Sequence, residues 1–135
     1  MSSFSDYLEN AVLNHVFRNT PLTSPTAVYV ALFTAAPTDA GGGTQVSGGG
    51  YARQAVTFGA PSGGVIANTA PVTFTVGASG WGTVTHIGYF DAATGGNLLS
   101  WAPLLDAQGQ PSSASLQSSG DGLSFAAGSL TISLT

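Results

Sequence analysis

Ala27-Val-Tyr-Val-Ala-Leu-Phe33 carries no charge and no strongly polar side chain at any position. In an extended chain the side chains alternate, so Val28, Val30 and Leu32 share one face and Tyr29, Ala31 and Phe33 the other. A half-exposed strand would show polar residues on one of those faces. This one reads as a central strand covered on both. Upstream of it, Thr20-Pro21 and Ser24-Pro25 force extended or turn geometry. Before those prolines, Phe4, Tyr7, Leu8, Ala11, Val12, His15 and Val16 fall at the spacing of an amphipathic helix. The spacing predicts a helix over about residues 4–18, with Ser3 and Asp6 as its capping box. Asp6 and Glu9 suit its positive start, and Arg18 its end.

Downstream, residues 34–50 hold six glycines in two triplets, Gly41 to Gly43 and Gly48 to Gly50. Ordering so many glycines costs entropy with few side chains to offset it, so a long mobile loop is expected. Alternation returns over Tyr51 to Phe58, Val65-Ile66, Val72 to Val76, Trp81 to Phe90 and Asn97 to Trp101. Asp91-Ala-Ala-Thr-Gly-Gly96 reads as the hairpin connection between the last two runs. After a weakly patterned Gln/Ser/Gly-rich stretch over 106–122, Leu123 with Phe125 and Leu130 with Ile132 and Leu134 give two final runs. About seven to nine short, turn-punctuated strands point to a mainly β fold, an antiparallel β-sandwich or jelly-roll-like barrel with a short N-terminal α-helix. The expected division is a helical arm over 1–20 and a single β domain over 21–135.

The chain has 135 residues, of which only 6% are charged against about 25% in ordinary soluble domains. Lysine is absent, the two cations are Arg18 and Arg53, and the net charge is −4. A nucleic-acid partner is therefore not expected, because phosphate contacts need clustered cations. No apolar run reaches the ~18 residues of a membrane span, and no basic n-region precedes an apolar one. No membrane partner is expected, and synthesis is expected in the cytoplasm. Size scaling gives a folded surface of about 6,500 Å², which this chain must build from Gly, Ala, Ser and Thr. So neutral a surface suits a subunit packed against neighbours better than a free monomer.

Residues that carry chemistry are sparse. Without cysteine there is no disulfide, thiolate zinc site or Cys nucleophile, and the two histidines, His15 and His86, stand in no ligand spacing. There is no Gly-x-Ser-x-Gly elbow, and the glycine triplets lack the lysine of a phosphate-binding loop. Asp91 and Asp106 beside Trp101 could form a carboxylate pair, but Asp91 fits a hairpin turn better. Asp91, Thr94 and Asn97 offer oxygen ligands at a spacing that matches no calcium loop. Trp81, Tyr89, Phe90 and Trp101 read either as core or as a sugar-stacking surface. No enzyme activity, catalytic residue, cofactor or metal is expected.

Ser3-Phe-Ser-Asp-Tyr-Leu-Glu-Asn10, Val28-Tyr-Val-Ala-Leu32, Gly48-Gly-Gly-Tyr-Ala-Arg53 and Trp81-Gly-Thr-Val-Thr-His-Ile-Gly-Tyr-Phe-Asp-Ala-Ala-Thr-Gly-Gly-Asn-Leu-Leu99 resemble a family of small tailed-bacteriophage virion structural proteins. Phe125 to Leu134 fits as well. The resemblance implies a bacteriophage virion component. Within the virion, a compact β-body with a gripping arm suggests a capsid decoration, or cement, protein on the head surface, with the major capsid protein as partner. A tail-fibre, tail-tip or baseplate module is the alternative, and a carbohydrate-binding β-module for host attachment is a third. Self-association as a homo-oligomer, a trimer, is expected. Phe4, Tyr7, Leu8, Ala11 and His15 on the helix stripe are the candidate partner contacts.

Overall fold

In the computed structural model, which describes residues 3–134, the chain runs β1 (Ser3–Phe4), α1 (Asp6–Phe17), β2 (Val28–Ala35), β3 (Thr44–Gln45), β4 (Gln54–Val56), β5 (Val65–Ala67), β6 (Val72–Thr75), β7 (Gly82–Val84), β8 (His86–Phe90), β9 (Leu98–Pro103), β10 (Ala114–Leu116), β11 (Gly122–Phe125) and β12 (Thr131–Ser133). The fold is mainly β with one short N-terminal helix, and every strand pairing among these residues is antiparallel. One six-stranded sheet has the order β1-β9-β8-β2-β3, with β4 also paired to β2. Three two-stranded ribbons, β7 with β10, β6 with β11 and β5 with β12, lie against it in a sandwich-like arrangement.

The inner face of the sheet carries Val30, Leu32, Ile87 and Tyr89, which pack on Val72, Phe74, Val76, Val84, Leu116 and Leu130 from the ribbons. Each such side chain, fully buried, contributes about 1.5–3 kcal/mol, so this layer holds the fold together. Helix α1 contains no buried residue and rests on β9 and β1.

The expected helix start moves by two residues. Phe4 pairs with Ser100 in the sheet, and Ser5 takes the cap expected of Ser3. The Ser5 hydroxyl accepts from the Leu8 amide at 3.2 Å and donates to the Leu98 carbonyl. This buried serine ties the helix start to β9, a long-range demand that local spacing does not carry.

Trp81 to Phe90, expected as one run, divides at Thr85. Gly82–Val84 pairs with β10, whereas His86–Phe90 pairs with β2 and β9. The division lets Val84 join Ile87 and Tyr89 in the same core, which a single alternating strand would forbid. A bulge between Tyr89↔Ser100 and Phe90↔Leu98 leaves Leu99 over, and so turns Leu98 to the outer face beside Gly88 and Phe33.

The expected long loop over 34–50 is partly regular. β2 runs on to Ala35, and β3 returns along it. Val46 is buried and donates its amide to the Leu32 carbonyl at 2.9 Å, while Thr38 and Gly41 exchange two backbone bonds in a tight turn. Between β4 and β3 the Leu32 amide meets no strand; the Tyr51 hydroxyl accepts it at 3.1 Å and also takes the Gln45 amide group at 2.8 Å. The glycines supply positive φ, and a few anchors supply the binding energy. Within 106–122, Leu116 is the buried anchor that makes β10 a strand.

Amide exchange followed residue by residue should show Val46 protected to nearly the level of β2, with Gly42, exposed at the loop tip, exchanging much faster. Uniformly fast exchange over 34–50 would restore the mobile loop. The two buried serines should also differ on truncation. Ser5→Ala loses a cap and a buried bond and should cost about 1–2 kcal/mol. Ser100→Ala removes a buried hydroxyl that has no hydrogen-bond partner, and should be neutral or slightly stabilising by thermal melting.

Candidate functional site: a cleft on the outer face of the sheet

The outer face of β2 presents Ala31, wholly buried, and Phe33, 2% exposed. Gly88 on β8 makes room for the phenyl ring, since a Cβ there would stand 2.8 Å from Phe33 and 3.0 Å from Leu98. Phe33 lies near-parallel to Phe90 at 6.3 Å between centroids, and the Arg53 guanidinium lies over the Phe90 ring at 3.6 Å. Cation, ring and ring are contiguous, a column along the outer face of the sheet. A guanidinium can lie there because it is planar and weakly hydrated.

Arg53 also closes the turn above it. Its Nη1 donates to the carbonyls of Ala92 at 2.9 Å and Gly95 at 2.8 Å, and Nη2 donates to the Gln45 side chain at 3.0 Å. Burial lowers its pKa, opposed by Tyr51 and Asp91. Asp91 holds the other side of the turn, its two oxygens accepting from the Asn97 amide at 2.7 Å and side chain at 3.0 Å. Gly96 is required here, because at φ +72 a Cβ would meet the Asp91 carboxylate at 2.5 Å. Two segments that carry the resemblance, ending in Arg53 and running through Asp91, are thus bound to each other.

Beside this column lies a cleft of about 490 Å³ with Phe33, Phe90 and Leu98 among its lining, Asp6, Asp39, Gln45 and Asn97 around it, and Gly41 to Gly43 as one wall. Asp39 is fixed from two sides: its carbonyl accepts the Asp6 amide at 2.8 Å, and its carboxylate accepts the Trp101 indole N–H at 3.2 Å. Trp101 is half-buried and tilted against His86 at 6.1 Å. The His86 ring bonds the Thr85 hydroxyl at 2.8 Å, and burial lowers its pKa.

The four aromatics of the 81–101 region therefore separate. Trp81 and Tyr89 are core, whereas Phe90 and Trp101 stand on the outer face. Asp91 and Asp106 do not converge: Asp106 accepts from the amides of Gln108 and Gln110 within its own turn. Among the described residues no three His, Asp or Glu side chains gather as metal ligands.

Of the candidate partner contacts, Phe4 stands in β1, Leu8 and Ala11 are half-buried, and Tyr7 and His15 are exposed. The His15 ring accepts the Leu22 amide at 3.0 Å and so folds the linker back on the helix. The most exposed apolar side chains of α1 are others: Leu13, Val16 and Phe17, the last 76% exposed. The cleft residues Asp39 and Arg53 are not among the sequence candidates, and Asn97, weighed there as a calcium ligand, instead caps the turn by bonding Asp91. Arg53 offered a signal, as one of two cations in a chain that spends so few.

Arg53→Lys keeps the charge but replaces a fork by a point donor that cannot span two carbonyls and Gln45. It should cost about 2 kcal/mol and lower the melting temperature by about 8 °C. An unchanged melting curve would show that the column does not hold the turn.

No curated protein matches the chain. A family model described as Podophage GP4 fiber I protein gp80 matches residues 3–133, which takes in both sides of the cleft, the helix and every ribbon. The chain accordingly belongs to this phage fibre family, and its role is that of a bacteriophage virion structural protein.

Proposed function

We propose that the chain is a folded module of a tail fibre, carried as a trimer, and not a part of the fibre shaft. The observation that carries this reading is the match to a fibre family over residues 3–133. The chain lacks the heptads or collagen triplets of an elongated shaft, and a domain of this length has a radius of gyration of only about 15 Å. Such a body acts at a fibre's joint or tip. Decoration of the head surface, expected above, draws on the same neutral surface, but the family's fibre description favours the tail.

Two features support assembly. The accessible surface is 7312 Å², above the roughly 6,500 Å² that a monomer of this mass exposes. Leu13, Val16 and Phe17 form an apolar strip on α1, and the charge-poor body adds little repulsion to a symmetric contact.

Gold-labelled antibody against the chain should decorate tail fibres of intact virions; gold over the head faces would return the chain to decoration. Light scattering should give three times the 13.4 kDa chain mass. Phe17→Ser should weaken that association while leaving the melting temperature of the β-body within a few degrees, since the side chain is exposed.

A further inference from the structure

The sandwich is open along one edge. Strand β9 makes no close approach to β11 or β12, and between them runs a groove of about 590 Å³. Ile87, Ala102, Leu104, Leu123, Phe125 and Leu130 are among its lining, so it reaches the core. An apolar cavity of about 150 Å³ already holds a benzene molecule, and this groove has room for several side chains. Its polar lining consists of hydroxyls and of Asp106, its one charged residue. Asp106 is exposed at the rim; one carboxylate oxygen accepts from the Gln108 and Gln110 amides, and the other has no hydrogen-bond partner among the described residues. The chain itself carries a matching surface. Leu13, Val16 and Phe17 share one face of α1 and are exposed, while Leu8, Ala11 and Val12 on the other side are half-buried. Arg18 follows Phe17 at the helix end, exposed, and its guanidinium bonds only the Asn14 side chain among the described residues. An apolar strip that ends in a cation thus faces solvent on the same molecule as an apolar groove rimmed by a carboxylate.

We propose that the groove receives the end of α1 from a second copy of the chain, with Val16 and Phe17 inserted and Arg18 paired with Asp106 at the rim, repeated head to tail around a threefold ring. This rests on the trimer proposed above and names the two surfaces that build it; it does not depend on where in the virion the chain sits. A contact between unlike surfaces closes into a ring when each copy is rotated by one third of a turn. The alternative trimer, three helices gathered strip to strip about the axis, would bring three Arg18 guanidinium groups to one end, with no carboxylate between Asn10 and Arg18 to offset them. It would also leave three grooves open to water. In the ring every Arg18 meets an Asp106, and every groove is filled by the apolar strip that needs cover.

The chain has no cysteine, so introduced thiols report proximity alone. Arg18→Cys and Ala107→Cys, both at exposed positions, put one thiol at the helix end and another beside Asp106, and leave the apolar strip intact. Oxidised with diamide, the full chain carrying both should give covalent dimers and trimers, at two and three times the 13.4 kDa chain mass on a denaturing gel without reductant. Each single variant should stay at the chain mass. Asp106→Asn keeps an acceptor for the Gln108 and Gln110 amides, and should weaken each contact about threefold, as should Arg18→Gln. The double variant should be no weaker than either single one, because one pair is broken only once. Dimers of Arg18→Cys alone would mean that helix meets helix, and a disulfide within one chain that the strip covers its own groove; either overturns the proposal. So do independent losses from the two charge variants, or the absence of any disulfide while light scattering still gives the trimer. A parent chain that scatters as a monomer removes the trimer itself, and this proposal with it.

Discussion

Covering β2 on both faces is the demand that organises this molecule. A two-layer sandwich satisfies only one side of a strand whose every residue from Ala27 to Phe33 is apolar or aromatic. The ribbons cover Val30 and Leu32 and close the hydrophobic core on that side. Ala31 and Phe33 on the far side have no second sheet to meet, yet they are as deeply buried. Their cover is assembled from pieces: Phe90, the Arg53 guanidinium over it, and Leu98 turned outward by a bulge.

Piecemeal cover leaves gaps where a sheet would not, and polar groups must fasten the pieces. With 6% charged residues, the chain uses single side chains at several joints. Arg53 joins the 91–97 turn to β3, the Tyr51 hydroxyl fills the break in the ladder at Leu32, and Ser5 joins helix to sheet. Asn68 does the same among the ribbons, accepting the Leu130 amide at 2.9 Å and donating to the carbonyls of Ala70 and Ala126. Each is at least half-buried, where a hydrogen bond is stronger and an unmade one is costly. Few fasteners in low-dielectric positions explain how so uncharged a chain specifies one arrangement.

Strand β2, the existence of α1 and the hairpin after Phe90 were legible because each announces itself within a dozen residues: by alternation, by helical spacing, by Asp and Gly at a turn. Other features arise from partners far away in sequence. Thr85 divides a uniform run because Val84 and Ile87 must share a core. Thr44-Gln45 becomes a strand because β2 needs a neighbour, although the surrounding glycines argue for loop. Ser5 in place of Ser3 follows from pairing Phe4 with Ser100, across the sheet. The cleft was least legible of all. Asp39, Arg53 and Asn97 lie in three separate connections between strands, and nothing in their spacing brings them together before the outer face is built.

The same outer face accounts for how structure and recognition divide the molecule. The inner core is closed, and its aromatics, Trp81 and Tyr89, are consumed by packing. On the outer face, packing thins out beyond Phe33, and Phe90 and Arg53, which cover it with Leu98, are only half-buried. Phe90 lies against Phe33 and under the Arg53 guanidinium, while Trp101 has His86 beside it and Asp39 on its indole nitrogen. A side chain held in that way has lost its rotamer freedom to the fold, and binding a ligand need not order it again. The strain of covering a doubly apolar strand without a second sheet thus yields a rigid, partly polar hollow. In such a hollow a chain with only 6% charged residues presents fixed hydrogen-bonding groups, held in place by the same contacts that cover β2.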